Sequence, residues 1–121
     1  MLTFSSLMLG SDNPKALIAF YKKVLGKDPD WTEGEWGGFE IGSFHLTIGL
    51  HSEVKGKNKE PGRIIINLET DDVRGEAERI KNVGAVVIAK PYQPEEAKDM
   101  WIATFSDPDG NYFQLMSPMK M

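Results

Sequence analysis

The sequence predicts an α+β fold built from two tandem βαβββ modules, and three observations carry that expectation. The order strand, helix, strands recurs on either side of a polar stretch at 52–62. Each half holds one segment with apolar residues at helical spacing, preceded by Asn or Asp and followed by Gly. A local repeat also links the halves: Trp36…Phe39…Phe44-His45-Leu46 resembles Trp101…Phe105…Phe113-Gln114-Leu115, with a longer turn in the second copy. The length of 121 residues suits one domain with a modest core. We therefore take 1–121 as a single domain, with module one at about 1–55 and module two at about 63–121.

Residues 2–10, rich in Leu, Phe and Met, read as the first strand. Asn13 suits an N-cap and Pro14 a first helical position, where its missing N–H would be unpaired anyway. Leu17, Phe20, Tyr21 and Val24 then mark one apolar face, and Gly26 supplies a left-handed C-cap, giving a helix over 14–25. Trp36–Ile41 and Phe44–Leu50 are apolar runs joined by Gly42-Ser43, the signature of a hairpin, and Trp31 begins a shorter strand before them. After the linker, Arg63–Leu68 reads as a strand. Asp71 and Asp72 cap a helix whose apolar positions are Val73, Ala77, Ile80 and Val83, and Gly84 ends it. Ala85–Ala89 is a strand, 90–99 a polar loop with two prolines, and Trp101–Ser106 a strand. Asp107-Pro108-Asp109-Gly110 has the composition of a β-turn leading to the last strand, Tyr112–Ser117.

Composition excludes several classes of function. The 40% hydrophobic and 26% charged fractions are those of an ordinary globular chain. A net charge of −4 argues against nucleic acid as a partner, because phosphate binding needs a basic stripe. The absence of cysteine removes disulfides, thiolate nucleophiles and cysteine zinc sites, and it fits a cytoplasmic protein. No apolar run is long enough to cross a membrane, and Met-Leu-Thr-Phe-Ser-Ser lacks the basic start of a signal peptide. The expectation is a complete cytoplasmic chain with neither a membrane nor a nucleic-acid partner.

Three segments in order resemble the vicinal-oxygen-chelate superfamily, which includes glyoxalase I, bleomycin-resistance proteins, fosfomycin-resistance enzymes and ring-cleaving dioxygenases. Asp12…Phe20-Tyr21…Leu25-Gly26 is similar to its opening signature, Asp72…Ile80…Gly84-Ala85 to its second helix, and Phe105-Ser106-Asp107-Pro108-Asp109-Gly110-Asn111 to its closing turn. The resemblance spans nearly the whole chain. It implies a curved eight-stranded half-barrel around a cavity, outer helices and a homodimer. Fold alone does not give function.

In metal-using members up to four His, Glu or Gln side chains, from the first and last strands of each module, hold one divalent ion such as Zn, Ni, Mn or Fe. The resemblance places those positions near Ser5 or Ser6, near Ile65 or Ile64, and on Gln114. The internal repeat adds His45. Serine and isoleucine are not ligands of this kind, so no metal or other cofactor is expected, with His45 and Gln114 the weak candidates. The same pair could orient a small ligand, or could simply bond to strand neighbours and water.

Side chains alternate along strands, so Thr47 should share a face with His45, and Met116 with Gln114. By the same rule Asn67 and Glu69 share the face of Ile65. Trp36 and Trp101, at matched places in the repeat, are expected to line the pocket, although core or interface packing is the plainer use of an aromatic. His51 reads as an exposed loop histidine, Asp107 and Asp109 as turn formers, and Lys55, Lys57 and Lys59 as a solvated run. The expected pocket is therefore His45, Gln114, Trp36, Trp101, Thr47, Met116 and Asn67, and the expected function is binding of a small molecule without a complete metal site. The alternatives are a metal-assisted lyase, isomerase or dioxygenase, similar to lactoylglutathione lyase, and a structural dimer without ligand.

Overall fold

A computed structural model describes residues 1–118; residues 119–121, at the end of the second expected module, lie outside the described residues. The elements run β1 (Leu7–Ser11), α1 (Pro14–Leu25), β2 (Trp31–Glu33), β3 (Trp36–Ile41), β4 (Phe44–Leu50), β5 (Ile65–Glu69), α2 (Val73–Asn82), β6 (Val86–Tyr92), β7 (Ile102–Ser106) and β8 (Tyr112–Met116). The fold is α+β with two βαβββ modules. The chain divides into two compact units, Met1–Gly56 and a second from Lys57 onward. Their four-stranded sheets have the same topology, β1-β4-β3-β2 and β5-β8-β7-β6. In each, the module's first strand runs parallel to its last, and the other pairs are antiparallel.

Each helix covers one face of its own sheet. In the first unit Leu17, Tyr21 and Val24 of α1 are buried, as are Phe39, Leu46 and Ile48 of the sheet. In the second, Val73, Ala77 and Ile80 of α2 are buried with Ala103, Phe105, Phe113 and Leu115. The Phe105 and Phe113 rings stack at 5.5 Å between centroids. This helix-ward parity leaves the alternate side chains of every strand on the opposite, open face.

The helix ends follow from local chemistry. Gly26 takes φ 68°, a left-handed conformation that costs glycine nothing, and its N–H donates to the Lys22 carbonyl. Asp72 caps α2 by accepting from the Gly75 amide at 3.0 Å. Asn13 stands at the N-cap of α1 but makes no side-chain cap bond; its own amide donates to Ser11 Oγ at 2.9 Å.

Three boundaries differ from expectation by more than one residue. β1 begins at Leu7, not residue 2. Leu7 lies opposite Leu46 and β4 starts at Phe44, so residues before 5 would have only the Gly42-Ser43 turn beside them. Phe4 instead stacks on Phe44, with ring centroids 5.6 Å apart. β5 starts at Ile65 because Pro61–Arg63 forms a 3-10 turn. β6 continues through Pro91 to Tyr92. As the edge strand it can carry a residue without an N–H, and a register shift between Ala89 and Tyr92 takes up the proline.

The linker is pinned to both units. Gly56 N–H donates to Asp12 Oδ2 at 2.8 Å in the first unit. In the second, Asn58 donates from its amide to the Asp109 carbonyl at 2.8 Å and from its side chain to Asn111 Oδ1 at 3.1 Å. Among the described residues no helix is long and apolar enough to cross a membrane.

Candidate functional site

The open face of the second unit is a grid of three rungs. Thr104, Gln114 and Asn67 lie side by side across β7, β8 and β5. One rung away on one side are Ile102, Met116 and Glu69, and on the other Ser106, Tyr112 and Ile65. The central rung is a hydrogen-bonded row. Thr104 Oγ donates to Gln114 Oε1 at 3.1 Å, and Gln114 Nε2 donates to Asn67 Oδ1 at 2.7 Å. Both ends of the Gln114 amide are thereby held, which fixes its orientation. The row carries no charge. Its remaining donors are the second Gln114 N–H and the Asn67 amide hydrogens.

The turn before β8 sets that register. Asp107 is buried, 4% exposed, and its Oδ1 accepts from the amides of Asp109 at 2.9 Å and Asn111 at 3.0 Å. Gly110, at φ 81°, donates to the Asp107 carbonyl to close the turn. Strand pairing then counts outward from it: Ser106 with Tyr112, Phe105 with Phe113, Thr104 with Gln114.

In the first unit the corresponding rung is Trp31, Gly38, Thr47 and Met8 across β2, β3, β4 and β1. Thr47 and not His45 is the ladder equivalent of Gln114. Phe39 faces Leu46 as Phe105 faces Phe113, and Met8 precedes its N-cap Asn13 by the same interval as Asn67 precedes Asp72. His45 lies one rung away, opposite Glu40, and is exposed. Two indoles lie flat on glycines of this face. A Cβ on Gly38 would collide with the Trp31 indole, and one on Gly49 with the Trp36 ring. Glycine at these places admits the indoles.

Asp30 closes the exposed edge of β3 near His45. Its carboxylate accepts from the Glu40 amide at 2.6 Å and from Lys27 Nζ at 2.9 Å. The amide bond first, then Lys27, with a smaller contribution from His45, hold the Asp30 carboxyl below its ordinary value.

His45, Thr47 and Trp36 thus share the open face of the first unit, and Gln114, Met116 and Asn67 that of the second. Trp101 does not join them. It precedes β7 in the parity of Ala103 and Phe105, exchanges backbone and hydroxyl bonds with Ser117, and carries the Arg74 guanidinium of α2 4.6 Å from its ring centroid. The repeat that paired Trp101 with Trp36 therefore joins residues on different faces, because Trp101 is four residues from Phe105 and Trp36 three from Phe39. His51 is exposed, and its Nδ1 accepts from the Glu53 amide at 3.2 Å. Sequence reasoning missed Thr104, although counting outward from the Asp107–Asn111 turn would have found it. It also left Met8 out of the face.

The donor set does not fit a divalent metal. Ser5 and Ser6 precede β1, and Ile64 and Ile65 are aliphatic. Gln114 already spends its amide on Asn67 and Thr104. Among the described residues no three His, Cys, Asp or Glu side chains are grouped so as to hold a metal ion.

Parallel first and last strands with a helix on one face, twice in tandem, define a protein of two βαβββ modules of the vicinal-oxygen-chelate type. The glyoxalase-like domain family matches residues 6–116, and the chain belongs to that family. Solved structures agree on the fold. A glyoxalase-related enzyme from Fulvimarina pelagi is 18% identical over 98% of this chain and 89% of its own, with a TM-score of 0.80. A glyoxalase/bleomycin resistance protein/dioxygenase family enzyme from Burkholderia phytofirmans PsJN is 20% identical over 95% of this chain and 98% of its own, at 0.77. A glyoxalase/bleomycin resistance protein/dioxygenase from Nocardioides is 16% identical over 100% of this chain and 90% of its own, at 0.73. At such identities the likeness concerns the fold alone. No curated protein matches the sequence.

Proposed function

We propose that this chain binds a small neutral molecule on its open strand faces, without a complete metal site. The observation that carries the proposal is the Thr104–Gln114–Asn67 row, an oriented set of uncharged donors between one rung that holds Ile102, Met116 and Glu69 and another that holds Ser106, Tyr112 and Ile65. Apolar walls with a few fixed polar groups are the usual build of a ligand site. The row suits an acceptor oxygen, a carbonyl or ether, on a ligand with an apolar body. Trp36, Thr47 and His45 supply a second aromatic and polar surface on the first unit. The row itself holds no base or nucleophile, although the Glu69 carboxylate stands one rung away, and the proposal is for recognition.

The proposal extends to a cytoplasmic homodimer. Supporting it are the absence of cysteine and the exposed apolar side chains Val86, Ile88 and Tyr92 along the edge strand β6. Light scattering at micromolar concentration is expected to give twice the mass of 13.5 kDa.

The ligand proposal is tested by thermal denaturation of the whole chain against a panel of small neutral and aromatic carbonyl compounds. A compound present at 100 times its Kd should add about 2.7 kcal/mol of stability. Gln114→Ala should weaken that binding about tenfold or more, since it frees Asn67 and Thr104 from their fixed positions. A panel without any stabilising compound would favour a purely structural dimer.

A further inference from the structure

The second unit holds a groove that the open face does not use. It lies on the helix-bearing side, between α2 and the edge strand β6, and encloses about 370 Å³. Its floor is apolar: the Phe105 ring, Val87, and Ala77, whose small side chain leaves the space a larger residue would fill. Shifts of register between Val87 and Ala89 and again between Ala89 and Tyr92 bend β6 relative to β7 along this edge.

The rim has the opposite sign to the molecule. Arg74 and Lys81 from α2 and Lys90 from β6 surround the floor, against the single carboxylate of Glu78, in a chain whose net charge is −4. Among the described residues none of these three cations has a carboxylate within ion-pair distance, whereas Lys15, Lys22, Lys27, Arg63 and Arg79 all do. Arg74 is held in place over the Trp101 ring, 4.6 Å from its centroid. All three cations line the same concave groove as Phe105, Val87 and Ala77.

We propose that this groove binds a small organic anion with a short apolar body. The body lies on Phe105 and Val87, and the carboxylate or phosphate is held by Lys81, Lys90 and Arg74. Charge-assisted bonds to cations at an apolar site supply both affinity and sign selectivity. A metal cation is disfavoured by the three positive side chains, and the cluster is too small for the phosphate track of a nucleic acid.

The test is isothermal titration of the full chain with octanoate, octan-1-ol and octylamine. Octanoate is expected to bind, octan-1-ol about tenfold more weakly, and octylamine not at all. The double variant Lys81→Glu/Lys90→Glu should lose at least about tenfold in octanoate affinity with its melting temperature kept, because both side chains are exposed. Lys81→Gln/Lys90→Gln, which removes charge without reversing it, should lose less. Gln114→Ala, on the opposite face of the same sheet, should leave octanoate binding unchanged. No octanoate binding at millimolar concentration would overturn the proposal, as would equal binding of octan-1-ol or full affinity in both lysine double variants. Affinity lost on Gln114→Ala alone would place the anion on the open face and overturn it too.

Discussion

Asp107 concentrates more structural consequence than any other single side chain. It is buried, it accepts from two backbone amides, and it fixes the turn from which the β7–β8 register is counted. Asp107→Ala should destabilise the chain by about 2–3 kcal/mol, since hydrogen bonds to a charged acceptor are among the stronger ones and the amides would be left unpaired. Urea unfolding measures this directly, and a loss under about 0.5 kcal/mol would reduce the side chain to an ornament of the turn. Asp30 gives a different signature. Its carboxyl is held below the ordinary value in the folded chain by the Glu40 amide, Lys27 and His45. A folded value lower than the unfolded one means the folded state favours the carboxylate. The resulting stability is present above the unfolded pKa and is lost as pH falls through the lowered folded one. Unfolding free energies between neutral pH and about pH 3 should therefore decline more steeply for the wild-type chain than for Asp30→Asn.

At the scale of elements, glycine decides where the aromatics lie. Gly49 admits the Trp36 indole, and Gly38 that of Trp31. Alanine normally suits a strand better than glycine, yet Gly49→Ala should cost about 1 kcal/mol here because it pushes the indole off its neighbour. In a Trp36→Ala background the same change should be neutral or stabilising, and that sign reversal is the mark of direct packing. The boundaries legible in the sequence were those set by local chemistry. Pro14 and Gly26 bracket α1, Gly42-Ser43 makes the β3–β4 hairpin, and Asp107 to Gly110 makes the last turn. The boundaries that were not legible depend on a partner strand. β1 begins only at Leu7, opposite Leu46, and residues 2–4 have no β4 residue opposite them in register; β6 passes through Pro91 because its outer edge has no ladder to break.

For the whole molecule, the repeat of a βαβββ module was readable from element order, while its register was not. Local similarity set His45 against Gln114, but the ladders set Thr47 there, because a two-residue turn and a longer one shift the strands by different amounts. A separate offset misplaced one face: Trp101 looked like Trp36 but, four residues from Phe105 rather than three, lies on the helix side. The candidate site was legible as residue types and parity, in Gln114, Asn67 and Met116, and illegible as hydrogen bonds, since nothing local pairs residue 67 with residue 114.

The central claim is a ligand face without a complete metal site, and one measurement bears on it most directly. The full chain is purified in the presence of Zn, Ni, Mn and Fe, dialysed, and its bound metal counted. The account predicts far less than one ion per chain, unchanged by His45→Ala. About one ion per chain, removed by His45→Ala, would contradict it and would favour metal-assisted lyase, isomerase or dioxygenase chemistry instead.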